Sequence, residues 1–361
     1  MIKNEIKSKN STRNYGIDLL KIFAMVNIIN LHTNIYTTNL KLSPSNSKYK
    51  QIYLLEVFSF WPVDAFGLIS GIVGFKKYKF ANAIHIWFEY CFYSVFFTLY
   101  LSSISLSNYV NVIRSFFPVA MYRNWYINAY FLMYLFLPFI TNSINSFDKK
   151  FYSKIVILFF LLYSFYHTLN MYLKCFPNYD FIIRGYSSLW LLILYIVGGF
   201  IGRFYLNKIK IPKAIFMFIY VVTSFFSSEF IFYNSHKKNF PAKLFLEYVS
   251  PTTFIQALSL IFFFSDLKIN NKHFQKVLIF LNPLNLNVTL IHSRIFRFNI
   301  PKTKKFFRYI ESLKPKYLFF KIYGISIIIY LICASLDLLR FLLFKAFKIR
   351  NLSNYIEKII F

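Results

Sequence analysis

Little in this chain could make a soluble surface. Charged residues are 15% of it, against roughly 25% in an ordinary soluble domain, and only 13 of its 361 residues are acidic. Glycine is scarcer still: nine glycines among 48 phenylalanines exclude collagen-like, disordered and linker-rich architectures. Cys91, Cys175 and Cys333 are odd in number and scattered without metal-ligand spacing, so they read as apolar filler and no metal is implied. No repeat, linker or soluble appendage interrupts the pattern. The basic N-terminus runs into an apolar helix without a small-residue cleavage site, so the first helix is expected to stay as an anchor.

What the chain has instead is apolar length. It is 57% hydrophobic and 22% aromatic, and its apolar stretches approach the roughly twenty residues that cross a bilayer. They lie near residues 16–36, 57–75, 83–104, 125–144, 155–173, 186–206, 214–233, 250–267, 278–298 and 317–345. The expected fold is therefore an all-α, polytopic integral membrane protein with about ten transmembrane helices. Residues 1–15 form a basic cytoplasmic N-terminus, 16–345 one membrane domain and 346–361 a basic cytoplasmic tail.

A net charge of +29 would suggest nucleic acid in a soluble protein. Here the cations cluster at the ends of apolar stretches, as in Lys76-Lys77-Tyr78-Lys79, Asp148-Lys149-Lys150 and Lys208-Ile209-Lys210. Such clusters orient helices and meet anionic headgroups, so membrane lipids are the partners and nucleic acid is not. Ten spans put both termini on one side, and the basic turns mark that side as cytoplasmic. The segment with Lys302, Lys304, Lys305, Arg308, Lys314 and Lys316 falls on the other side. It meets headgroups there or holds an acidic glycan.

The first apolar helix carries the chemistry. Lys21 and His32 are eleven positions apart, a rotation of roughly 1100° and a rise of roughly 16 Å on an α-helix, so they share one face at two depths. Asp18 lies within about 40° of the same stripe. Ionisable groups are costly in hydrocarbon and should face a cavity or pathway. The stripe suits chemistry conducted across a membrane, with Asp18 and Lys21 also spaced to form an ion pair.

Six segments in order resemble the membrane acyltransferase-3 family. Ile17, Asp18, Lys21 and His32 resemble its opening helix. Val63-Asp64-Ala65-Phe66-Gly67-Leu68-Ile69-Ser70-Gly71 is similar to its "vD.Ff..SG" segment. Trp125-Tyr126-Ile127-Asn128-Ala129-Tyr130, closing on Leu137-Pro138, is similar to its "WY..aY…lP" helix. Leu194-Tyr195-Ile196-Val197-Gly198-Gly199, Ser250-Pro251 and Leu290-Ile291-His292 complete the series. Lys21 stands where the family commonly has arginine, keeping the charge but not the bidentate fork. An arginine pair common on the third span is missing around His85, and Thr289 stands in place of a tyrosine.

The resemblance implies a bacterial inner-membrane enzyme that moves an acetyl group from cytoplasmic acetyl-CoA to a hydroxyl of a surface polysaccharide, such as capsule or lipopolysaccharide, or its lipid-linked precursor. His32 would be the general base, a role that imidazole suits by titrating near neutrality. Lys21 and Asp18 would hold the donor, and Trp125, Tyr126 and His292, the last expected near a helix end, would meet the acceptor. Ser70-Gly71 lacks the glycines of a nucleophile elbow and reads as helix packing. Tyr126, Tyr130 and Tyr134 recur every four residues, as a sugar-stacking wall or as packing. Two other classes fit the same composition: a transporter or flippase of lipid-linked saccharides, and a non-catalytic relative of the family.

Overall fold

The computed structural model describes residues 13–38, 48–75, 78–104, 109–173, 183–206, 208–237, 241–297 and 301–360. The basic residues before Arg13, together with Lys76, Lys77 and Cys175, lie outside them. Among the described residues there are helices and no strands. In order these are α1 (Tyr15–Thr38), α2 (Tyr49–Phe58), α3 (Pro62–Gly74), α4 (Phe80–Ile104), α5 (Tyr109–Ser115), α6 (Trp125–Ser146) and α7 (Lys149–Phe159). A π-helical turn, Phe160–Phe165, joins α7 to α8 (Tyr166–Leu173). Then come α9 (Ser188–Phe204), α10 (Lys213–Asn234), α11 (Pro251–Ser265), α12 (Lys272–Leu281) and α13 (Asn285–Arg297). The chain ends in α14 (Pro301–Ser312), α15 (Pro315–Ala346) and α16 (Ile349–Ile360).

All ten expected apolar stretches are helical, but only part of the expected count of about ten spans is shown by length and composition. Among the described residues, six helical stretches are long and apolar enough to cross a membrane: Tyr49–Gly74, Trp125–Ser146, Lys149–Leu173, Lys213–Asn234, Lys272–Arg297 and Lys316–Ala346. The other four fall short for physical reasons. Helices α9 and α11 are shorter, at 17 and 15 residues, and much of each is buried in protein. Helices α1 and α4 are long but interrupted by polar residues, Asn27, Asn30, His32 and Asn34 in the first and Asn82, His85 and Glu89 in the second. Helix α1 is largely buried among other helices and needs no continuous apolar sequence, whereas α4 leaves Phe96, Leu99 and Tyr100 exposed. The basic segment expected as a loop is also corrected: it contains α14, and just beyond it Leu313 packs with Ile52 and Leu55 in a small separate core.

Helix α1 is central, packed against α2, α3, α11, α13 and α15. Its start is fixed by Asn14, whose side chain accepts from the Ile17 backbone at 3.0 Å and donates to the Ser265 carbonyl at 2.9 Å. One side of α1 forms a polar seam. Asn30 donates to Ser59 Oγ at 2.6 Å, Ser59 donates to Asn27 Oδ1 at 3.2 Å, and the Tyr323 hydroxyl donates to the same oxygen at 2.5 Å. Buried amides that find such partners hold transmembrane helices together and fix their rotation. Gly71 of the Ser70-Gly71 segment acts as packing, as its small size implied. A Cβ on Gly71 would lie 2.0 Å from the Tyr195 carbonyl oxygen, and one on Gly198 would lie 2.1 Å from that of Leu68, so α3 and α9 touch backbone to backbone.

Glu89 meets His85, four residues before it, at 3.7 Å and acquires a closer partner across the fold. Arg340 is 2% exposed and donates to Glu89 at 2.7 Å and to Asp337 at 2.5 and 2.9 Å. Tyr93 donates to Asp337 as well. The cluster locks α15 to α4.

Candidate active site

One cavity of about 420 Å³ runs beside α1. Its geometry follows from the pairing of α1 with α13, which lie side by side and run in the same direction. Asn282 donates to the Asp18 carbonyl at 3.4 Å, Asn285 to the Lys21 carbonyl at 2.9 Å and Thr289 to the Met25 sulfur at 2.9 Å. Further along, His32 Nδ1 and His292 Nε2 are 2.9 Å apart. Lys21, Lys79, Asn82 and Asn285 line one end of the cavity. His32 lies further along, and Asn124, Trp125, Tyr248 and Arg297 line the other end. Helix α6 runs the opposite way, so its N-terminal Trp125 sits at the far end while Tyr134 is close to Asn82 at the near end.

The hydrogen bonds of the two histidines determine which nitrogen carries each proton. The Val288 carbonyl can only accept, so His292 Nδ1, 2.7 Å away, is the protonated nitrogen of a neutral ring. His292 Nε2 is then bare and must accept from His32 Nδ1. The remaining nitrogen, His32 Nε2, keeps its lone pair and has no protein partner among the described residues, and the ring lines the cavity. His292 itself is fully buried. It lies in the interior of α13 rather than at a helix end, which corrects its expected position.

Asp18 and Lys21 form the ion pair their spacing allowed, at 3.5 Å, and the Arg13 guanidinium also holds Asp18. Lys21 lines the cavity, while Asp18 stands behind it. Asn124 caps α6 by accepting from the Tyr126 and Ile127 backbone at 3.0 and 3.2 Å, which sets the direction of the helix that brings Trp125 and Tyr126 to the cavity. Tyr126, Tyr130 and Tyr134 all line it, with ring centroids 5.9 and 5.1 Å apart. Ser70 also lines it, sharing a hydrogen bond with Tyr130 at 3.2 Å and donating to the Phe66 carbonyl.

The far end is an aromatic mouth that the sequence reading found only in part. Trp125 stacks on Tyr248 at 5.7 Å and lies 4.6 Å from Tyr186, and Phe60 stacks on Tyr248 at 4.5 Å. Burial pushes the Tyr248 phenol well above its usual range, so it stays neutral. Tyr248 belongs to a non-helical segment without periodicity, and its only sequence signal is its place two residues before Ser250-Pro251. Lys79, Asn82, Asn285 and Arg297 were also missed, because no local pattern separates them from ordinary helix-end polar residues. His85 meets Glu89, four residues on, at 3.7 Å and His167 meets Glu247 at 3.5 Å, both away from this cavity.

A family model described as "Acyltransferase domain" matches residues 14–336, a range that contains every residue lining the cavity. No curated protein and no solved structure matches the chain.

Proposed function

The chain belongs to the acyltransferase-3 family and is a membrane acyltransferase, and from that premise we propose that it moves an acetyl group from acetyl-CoA to a hydroxyl of a surface polysaccharide or its lipid-linked precursor. The observation that carries this reading is a cavity with the Lys21 and Lys79 ammonium groups at one end, an aromatic mouth with Arg297 at the other and the free nitrogen of His32 on its wall. In this reading the donor enters at Lys21 and Lys79, whose ammonium groups suit its phosphates, and Asp18 holds Lys21 in place. The acceptor enters at Trp125 and Tyr126, whose ring faces suit a sugar. About ten helices then cross a bacterial inner membrane, with α1, α9 and α11 as inner spans and both termini cytoplasmic.

The chemistry needs one base. His32 Nε2 takes the hydroxyl proton as the oxygen attacks the thioester carbonyl. The new C–O bond forms, the C–S bond breaks, and the imidazolium returns the proton to the departing thiolate. His292 is a positioning residue: it holds His32 in the tautomer that leaves Nε2 free, and it supports the positive ring by accepting from Nδ1. Transfer is direct, since neither cysteine on the described helices lines the cavity and Ser70 has no base beside it.

The test is the O-acetyl content, by NMR, of surface polysaccharide from cells expressing the wild-type chain or His32→Ala at equal membrane abundance. Loss of ester signal with unchanged glycan quantity is expected, since a positioned general base contributes on the order of 10²- to 10⁴-fold. Unchanged esters would remove His32 from the reaction. A fall in glycan quantity with unchanged esters would mark a transporter.

A further inference from the structure

At the His32 side of the cavity, three arginines gather that the transfer chemistry does not use. Arg294 and Arg297 are one turn apart near the end of α13, and Arg297 Nη1 donates to the Arg123 carbonyl oxygen at 3.3 Å. The charges of Arg123 and Arg297 both act on Arg294, and all three act on the Tyr90 hydroxyl. That hydroxyl is already committed, donating to Asn128 at 3.1 Å. Arg297 lines the cavity, and its charge reaches His32. Among the described residues no aspartate or glutamate pairs with any of the three.

Three arginines within reach of one another's charge and without a carboxylate repel one another. Their planar forks match an oxyanion bidentately, and a phosphoryl group, with several oxygens and up to two charges, satisfies three of them better than a single carboxylate does. Arg297 is five residues beyond His292 on α13, a rise of about 7.5 Å, on the scale of one sugar residue. We propose that Arg123, Arg294 and Arg297 form a phosphoryl-binding site that anchors the acceptor while its hydroxyl meets His32. The assignment rests on the acceptor entering at this end. The phosphoryl group is carried either by a soluble or lipid-linked acceptor or by a bilayer phospholipid headgroup.

Binding is measured on the purified full chain in neutral maltoside micelles, as the rise in unfolding midpoint on titration with inorganic pyrophosphate and with glucose 1-phosphate. In parallel, the protein is placed in nanodiscs of phosphatidylcholine with or without phosphatidylglycerol. A saturable rise in the wild type is expected, with affinity falling at least tenfold in the Arg294→Gln/Arg297→Gln double variant. Arg123→Gln, on a separate loop, gives the same direction of change should the double variant fold poorly. His32→Ala keeps the rise, and Lys21→Gln keeps its arginine-dependent part. Arginine-dependent stabilisation by the soluble phosphates supports the site with an acceptor-borne group. Arginine-dependent stabilisation by phosphatidylglycerol alone supports it with a headgroup. A rise that survives every arginine variant, a rise lost in Lys21→Gln, or no rise in either arm overturns it. Because the readout is binding, a chain that transferred no acetyl group would still pass or fail this test.

Discussion

Adjacent residues of α4 face two groups of arginine charge, and the groups are built in opposite ways. Glu89 meets Arg340, whose guanidinium is also held by Asp337, so the charge is neutralised inside the fold. Tyr90 sits among Arg123, Arg294 and Arg297, which have no acidic partner among the described residues. A buried ion needs a counter-charge, and the fold supplies one to Arg340, whereas Arg297 is exposed and Arg123 and Arg294 are half-buried, open to a charge from outside. Neutralised charge is a structural joint, whereas charge left open beside a cavity is a binding surface.

The largest expected effect breaks the neutralised side. Removing one partner of a buried pair costs about 3–5 kcal/mol, because the other charges stay behind. Arg340→Ala should therefore lower the unfolding midpoint and folded yield sharply in detergent, while Arg294→Gln/Arg297→Gln leaves both nearly unchanged. Equal losses in the two variants would erase the distinction between joint and binding surface.

The histidine pair comes next. Partners that orient a metal-bound histidine contribute on the order of ten- to a hundredfold, and by analogy His292→Ala should reduce acyl transfer by about that factor at unchanged abundance. His292→Gln should restore part of it, since an amide can accept from His32 Nδ1 and donate to Val288. A merely structural His292 would show loss of folded protein and no such rescue.

Gly71→Ala tests the close approach of α3 and α9 independently of charge. Its Cβ would meet a carbonyl oxygen at 2.0 Å, and overpacking of this kind costs about 1–3 kcal/mol, read as a lower unfolding midpoint. The smallest effect concerns Lys21, which is paired with Asp18 yet lines the cavity. Lys21→Gln should raise the donor KM roughly tenfold, the scale of one charged hydrogen bond, with little change in kcat. A fall in kcat at constant KM would move Lys21 from donor binding to the chemistry.

Much of this was legible in the sequence because it is written locally. The spacing of Lys21 and His32 is a property of one helix, and both residues do line one cavity. The ten apolar stretches all became helices because each carries its own hydropathy. The small residues of α3 announced a close contact before its partner was known. Glu89 was illegible for the converse reason: its partner Arg340 is 251 residues away. Tyr248 and Arg297 were missed on the same ground, since their importance comes from what lies across the cavity.

By itself the sequence determined that the chain is helical and lives in a membrane, because hydropathy and helical periodicity are sums over neighbouring residues. It also determined the family, because the order of six short motifs survives without knowledge of any contact. The tertiary structure alone decided how much of each helix is buried in protein, and that His32 meets His292 while His167 meets a glutamate. It also decided which arginines are neutralised and which remain open. Each of these depends on distances between helices, and a distance across a packed interior is fixed only when all the helices are assembled.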